Sequence, residues 1–152
     1  MAGLRPGWLV ALCAAGLTIS SWLPWLTTSA YGGGRASAIG GTLGSITVPA
    51  RFGAGQLIVL LSSVLIVLGA MAARGLSPRV AASAAVMISV LVAVLTWWYF
   101  HSNVTPPVTA GYGLYMGAVC ALGVLGCSVW ALTTALLTDR ADVERTSPAA
   151  RR

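Results

Sequence analysis

Four long apolar runs, separated by short polar stretches, organise the chain. They extend from about Trp8 to Leu26, Ala54 to Ala73, Val80 to Phe100 and Tyr112 to Leu137. A hydrocarbon core of roughly 30 Å takes about 20 apolar residues of helix. The pattern therefore predicts an all-α membrane protein. Residues 1–138 form a single four-helix transmembrane domain, and residues 139–152 form a charged tail. The fourth run exceeds what a perpendicular span needs and is expected to tilt or protrude. The breaks carry their own markers. Ser77-Pro78 fits a Ser N-cap with Pro in the first turn, and Gly75 suits a tight link before it. Pro106-Pro107 stops any helix between the third and fourth runs, and Pro24 should kink or end the first near the membrane surface.

The connection from about Thr27 to Gly53 is rich in glycine, with Gly32-Gly33-Gly34, Gly40-Gly41 and Gly44. Ser45-Ile46-Thr47-Val48 has strand character between Gly44 and Pro49. A short β-hairpin or a compact Gly-rich loop over the bundle mouth is expected there. The glycines match no phosphate-loop or dinucleotide fingerprint, which needs a strand-then-helix setting or a following G-K-[ST], so turn chemistry explains them. The next connection, Ser102 to Ala110, is short and contains a formal glycosylation triplet, Asn103-Val104-Thr105. Thr138 onward extends the last helix by a few turns until Ser147-Pro148.

Charge sharpens this picture. Only 8% of the residues are charged, against about 25% in a soluble domain. There are nine arginines, no lysine and three acids. Arg5, Arg74, Arg79, Arg140, Arg145, Arg151 and Arg152 share one side of a four-span chain, and only Arg35 and Arg51 fall on the other. The positive-inside rule then puts both termini in the cytoplasm of an inner (plasma) membrane. A competing reading treats the first run as a secretory signal cleaved after Thr28-Ser29-Ala30, but Trp22, Pro24 and Trp25 make a bulky cleavage region.

Asp139, Asp142 and Glu144 are the only carboxylate side chains, so residues 1–138 contain none. That excludes carboxylate acid/base catalysis, carboxylate metal cages and a membrane acid for proton-coupled transport from the main body. The scattered, membrane-flanking arginines do not make a nucleic-acid footprint. The bilayer is the expected partner, together with a membrane-protein partner or further copies of the chain.

Aromatic residues gather where the runs end. Trp22, Trp25, Trp97, Trp98 and Tyr112 are expected as interfacial anchors on the outer side, with Trp8 and Trp130 on the inner side. Small residues at four-residue spacing mark two helix faces: Ala81, Ala85, Ser89 and Ala93 in the third run, and Gly113, Gly117 and Ala121 in the fourth. Such ribbons permit close backbone approach in lipid, so the third and fourth helices are expected to form one tight seam.

Candidate chemistry is sparse. His101 is a lone histidine at the outer end of the third run, without nearby ligands for a metal. Cys13, Cys120 and Cys127 lie inside runs, away from any basic group that would activate a thiolate, and read as small packing residues. Ser20, Ser21, Ser62, Ser63 and Ser89 are polar groups within or near the runs, of which Ser62-Ser63 is the candidate lining of a small polar site. No catalytic residue, metal site or cofactor is expected.

Ser21-Trp22-Leu23-Pro24-Trp25-Leu26, the Gly-rich loop, and the entry Phe52-Gly53-Ala54-Gly55-Gln56-Leu57 together resemble small four-span membrane proteins of actinobacteria, of the mycobacterial type. The resemblance covers about residues 5–138. It implies a bundle in the inner membrane, carries no catalytic residue, and leads to a group largely without assigned function. The expected role is a non-enzymatic accessory or stabilising subunit of a larger cell-envelope complex. The alternative is a small transporter or holin-like pore for a neutral or apolar solute.

Overall fold

A computed structural model describes residues 5–44 and 53–146. Four helices carry the fold: α1 (Pro6–Ser20), α2 (Ala54–Ala73), α3 (Pro78–Asn103) and α4 (Tyr112–Thr146). They run alternately up and down. Each packs on the next, and α1 closes the ring against α4. The buried positions explain the arrangement. In α2 they are Gly55, Ile58, Ser62, Leu65, Gly69 and Ala73, and in α3 they include Ala85, Ser89, Val92, Thr96 and Tyr99. Alternating steps of three and four keep one narrow seam facing inward, as in left-handed bundles. The opposite faces are apolar too, exposing Leu12, Ile19, Val67, Met87, Val119 and Leu122. A helix that is apolar all round belongs in protein or lipid, not in water.

Helices α2, α3 and α4 are long and apolar enough to cross a membrane. Helix α1 is not the 8–26 span expected from hydropathy. It ends at Ser20 after 15 residues, about 22 Å at the α-helical rise. Pro24 does not kink it, because Pro24 lies beyond it as the first residue of a strand.

That strand belongs to a four-stranded antiparallel sheet at one end of the bundle, ordered β3-β2-β1-β4. Its strands are β1 (Pro24–Thr28), β2 (Gly34–Ser37), β3 (Thr42–Gly44) and β4 (Val108–Ala110). The sheet is larger than a single hairpin, because β1 also pairs with β4 from the α3–α4 connection. The strand expected at Ser45–Val48 lies outside the described residues. The turn between β2 and β3 rests on the start of α2. Gln56 donates from Nε2 to the Ile39 carbonyl at 3.0 Å and accepts from the Gly53 N–H at 3.3 Å, so one side chain both caps α2 and holds the hairpin.

At the opposite end, α2 closes with a Schellman motif. The Leu76 N–H donates to Met71 O at 3.0 Å and the Gly75 N–H to Ala72 O at 3.2 Å, with Gly75 at φ +74°, the left-handed conformation glycine adopts without a Cβ penalty. Arg5 donates to the Ala73 carbonyl at 2.8 Å, satisfying another helix-end acceptor, and Arg79 pairs with Asp139 of α4. Ser77 stands at the N-cap of α3 but makes no capping hydrogen bond. Its φ of 44° turns the chain sharply instead, so the expected Ser cap does not form.

Candidate functional site

The sheet end is where this chain departs most from a plain helical bundle, and one bulge governs it. Across β1 and β2, Pro24 pairs with Ser37 and Leu26 with Ala36. Two steps on β1 thus match one on β2, and Trp25 is the extra residue. A bulge of this kind re-aims a side chain. Both Trp25 and Leu26 point inward as a result, at 0% and 5% exposure. Trp25 therefore does not serve as the interfacial anchor expected of it; it is a plug in the bundle mouth. Its Nε1 donates to the Ser20 carbonyl at 2.8 Å, capping the end of α1. Its ring stands against Tyr99 of α3.

The glycines of α4 make room for this plug. A Cβ on Gly117 would lie 2.8 Å from the Trp25 ring and 3.1 Å from the Ser20 hydroxyl, and one on Gly113 would lie 2.8 Å from the Leu23 Cβ. Gly113 and Gly117 thus accommodate α1 and β1 and do not form the expected seam with α3. In the other ribbon Ala81, Ala85 and Ser89 are buried, as is Ala121 in α4. Ala93 is only half-buried and lines an apolar cleft of about 260 Å³ with Trp97, Phe100 and Tyr115. The helices also approach closely at α1–α2. A Cβ on Gly69 would meet the Ala11 nitrogen and the Gly7 carbonyl, each at 2.8 Å. Sequence spacing revealed the small residues but not the partner each one faces.

The remaining aromatics stay outside. Trp22 is 74% exposed, and Trp97, Trp98 and Tyr112 are exposed at the same sheet end. Trp8 and Trp130 are exposed toward the other end. His101 is exposed in the last turn of α3. Asn103, of the glycosylation triplet, uses its side-chain amide to donate to Tyr99 O at 2.9 Å.

The hydroxyls along the helices are absorbed by their own backbones. Ser62 donates to Ile58 O at 2.7 Å, Ser63 to Val59 O at 3.1 Å, Ser89 to Val86 O at 2.8 Å and Thr96 to Val92 O at 2.8 Å. Ser62 and Ser63 therefore do not combine into a polar site. Only the Ser128 hydroxyl is buried without a partner among the described residues. The cysteines pack reciprocally where α1 meets α4. Cys120 Sγ lies 3.1 Å from where Gly16 would carry a Cβ, and Cys13 Sγ lies 3.2 Å from the same point on Gly123. Among the described residues no group of three or more His, Cys, Asp or Glu side chains is placed to hold a metal ion.

The outward face of the sheet carries threonines, an arginine and one exposed leucine. Its register aligns Leu43, Arg35, Thr27 and Thr109 in one row across all four strands. The neighbouring row of Ala36, Leu26 and Ala110 packs on the bundle core. The Thr27 and Thr109 hydroxyls lie 3.0 Å apart, and Thr28 donates to the Pro107 carbonyl at 3.1 Å. A cleft of about 720 Å³ opens on this face. No family model, curated protein or solved structure matches the chain.

Proposed function

We propose that the protein is a four-span protein of the inner (plasma) membrane, of the actinobacterial type it resembles, with both termini cytoplasmic and the sheet outside. Its role is that of a non-enzymatic accessory or stabilising subunit in a larger cell-envelope complex. Seven arginines against two support this orientation. The apolar outward side chains of α1, including Leu12 and Ile19, support α1 as the fourth span. A 15-residue helix is accommodated by local thinning of the bilayer, and Trp25 and Leu26 fill the bundle above its end.

The observation that carries the reading is the buried Trp25. A transporter needs a route between its helices, whereas here the chain places its own indole across the mouth and leaves no charge in the body of the bundle. What the protein offers to its surroundings is a lipid-facing apolar surface and a folded outer cap. Affinity purification in mild detergent tests the role. A reproducible co-purifying membrane protein is expected, and a clean monomer that supports solute flux after reconstitution would replace this reading with a pore.

A further inference from the structure

The outward cleft is walled by Thr27, Ser29, Gly32, Gly33, Gly34, Arg35, Gly44 and Thr109, among others. Arg35 is exposed in the middle of its cross-strand row. Among the described residues its guanidinium has neither a hydrogen bond nor an ion pair. Nor does the chain supply a counter-charge here, because no carboxylate side chain occurs before Asp139, and Asp139 sits at the far end of the bundle paired with Arg79.

A guanidinium is a fork of five N–H donors that matches the oxygens of carboxylates and phosphates, and it is more weakly hydrated than an ammonium. Around it lie the Ser29 hydroxyl, the Thr27 and Thr109 hydroxyls bonded to each other, the Leu43 side chain, and glycine backbone that leaves space. The cleft holds no carboxylate, so a cation finds only neutral oxygens. An anion with several acceptor oxygens finds a charged donor and hydroxyls together.

We propose that this cleft binds a phosphate group, with Arg35 as its principal contact and the Ser29 hydroxyl as a second donor. A tetrahedral phosphate engages donors in several directions at once, whereas a flat carboxylate uses little of the space beside the glycine backbone. The shared chemistry is a phosphate mono- or diester, carried by a soluble molecule or by a lipid headgroup. The inference rests on the proposed orientation only for the compartment from which the ligand comes.

The test uses the full chain in nanodiscs of zwitterionic lipid, titrated with inorganic phosphate at constant ionic strength. Saturable binding is expected, seen as ³¹P line broadening. Arg35→Gln should weaken it by about tenfold or more, since a hydrogen bond to a charged group is lost. Arg35→Lys should weaken it less, and Arg74→Gln, at the opposite end, should leave it unchanged. A lipid source shows as loss of phosphate binding when phosphatidylglycerol is added to the discs; a soluble source shows as binding that persists. Should Arg35→Gln not reconstitute, phenylglyoxal labelling of the unmodified chain serves, with phosphate expected to protect Arg35 and not Arg74. Absence of saturable binding in both lipids, equal competition by acetate, equal affinity in Arg35→Gln, or no selective protection of Arg35 would overturn the proposal. A purification without partners would remove the accessory role and leave this result standing.

Discussion

The indole of Trp25 meets the ring of Tyr99 edge-on, with centroids 5.0 Å apart and planes at 86°. One contact thereby joins the strand leaving α1 to the outer end of α3. Edge-to-face pairs contribute about 0.5–1.5 kcal/mol beyond the area they bury, and this pair also carries the Trp25 cap on Ser20. Trp25→Ala is expected to destabilise the protein by about 3–5 kcal/mol, measured by unfolding in mixed micelles. Trp25→Phe should recover part of the packing and none of the indole hydrogen bond. A double-mutant cycle with Tyr99→Leu should show coupling of about 1 kcal/mol; additive losses would mean that the rings do not act together.

Gly117 and Gly126 separate close approach from mere helix content. Gly117 faces the Trp25 ring, whereas nothing lies within 4 Å of where Gly126 would carry a Cβ. Gly117→Leu should cost about 3 kcal/mol or more through overpacking and release Trp25 from the mouth, seen as a red-shifted and quencher-accessible emission. Gly126→Leu should stay within about 0.5 kcal/mol of the parent. Equal tolerance at both positions would contradict the plug.

Ser128 carries a prediction of the opposite sign. Its hydroxyl is buried and unpartnered, and an unsatisfied buried polar group costs about 1–3 kcal/mol. Ser128→Ala should therefore be neutral or stabilising by about 1 kcal/mol. Ser62→Ala, which removes a hydroxyl bonded to Ile58, should gain nothing. Thermal unfolding of both variants in the same detergent makes the comparison.

Gln56 ties the hairpin to α2 through Ile39. Gln56→Ala should leave the helices intact and raise hydrogen exchange across residues 37–44, by about tenfold for a bond worth about 1 kcal/mol or slightly more. Unchanged protection there would mean that the hairpin is held by its own ladder alone.

The helices were legible because apolar length is a strong signal, and α2, α3 and α4 fall close to the runs that predict them. The end of α1 was not. Ser21-Trp22-Leu23-Pro24-Trp25-Leu26 is as apolar as a span, and hydropathy does not distinguish helix from a strand buried against helices. The inward turn of Trp25 is hidden for a related reason: Trp22 and Trp25 look alike in sequence, and only the bulge turns one of them inward. A hairpin in the Gly-rich connection was legible, but the extension of the sheet through β4 was not, because β4 has three residues and Thr27 lies 82 positions from Thr109. The cleft on the outward face shared that fate, since Arg35 reads as a topology charge until the register sets it between Thr27 and Leu43.

The pairing of β1 with β4 also sets an order in which the fold can be completed. β1 leaves the ribosome directly after the first helix, yet its second neighbour in the sheet emerges only after α3. The sheet cannot close until α3 has formed and returned the chain to the end of the bundle that holds β1. A chain with α3 turned the other way would hold β4 at the far end of the bundle, leaving one edge of β1 unpaired and Trp25 without Tyr99. Closure of the sheet is thus open only to a chain whose helices alternate in direction, and an open edge with an exposed indole is the mark by which an incompletely folded copy differs from a finished one.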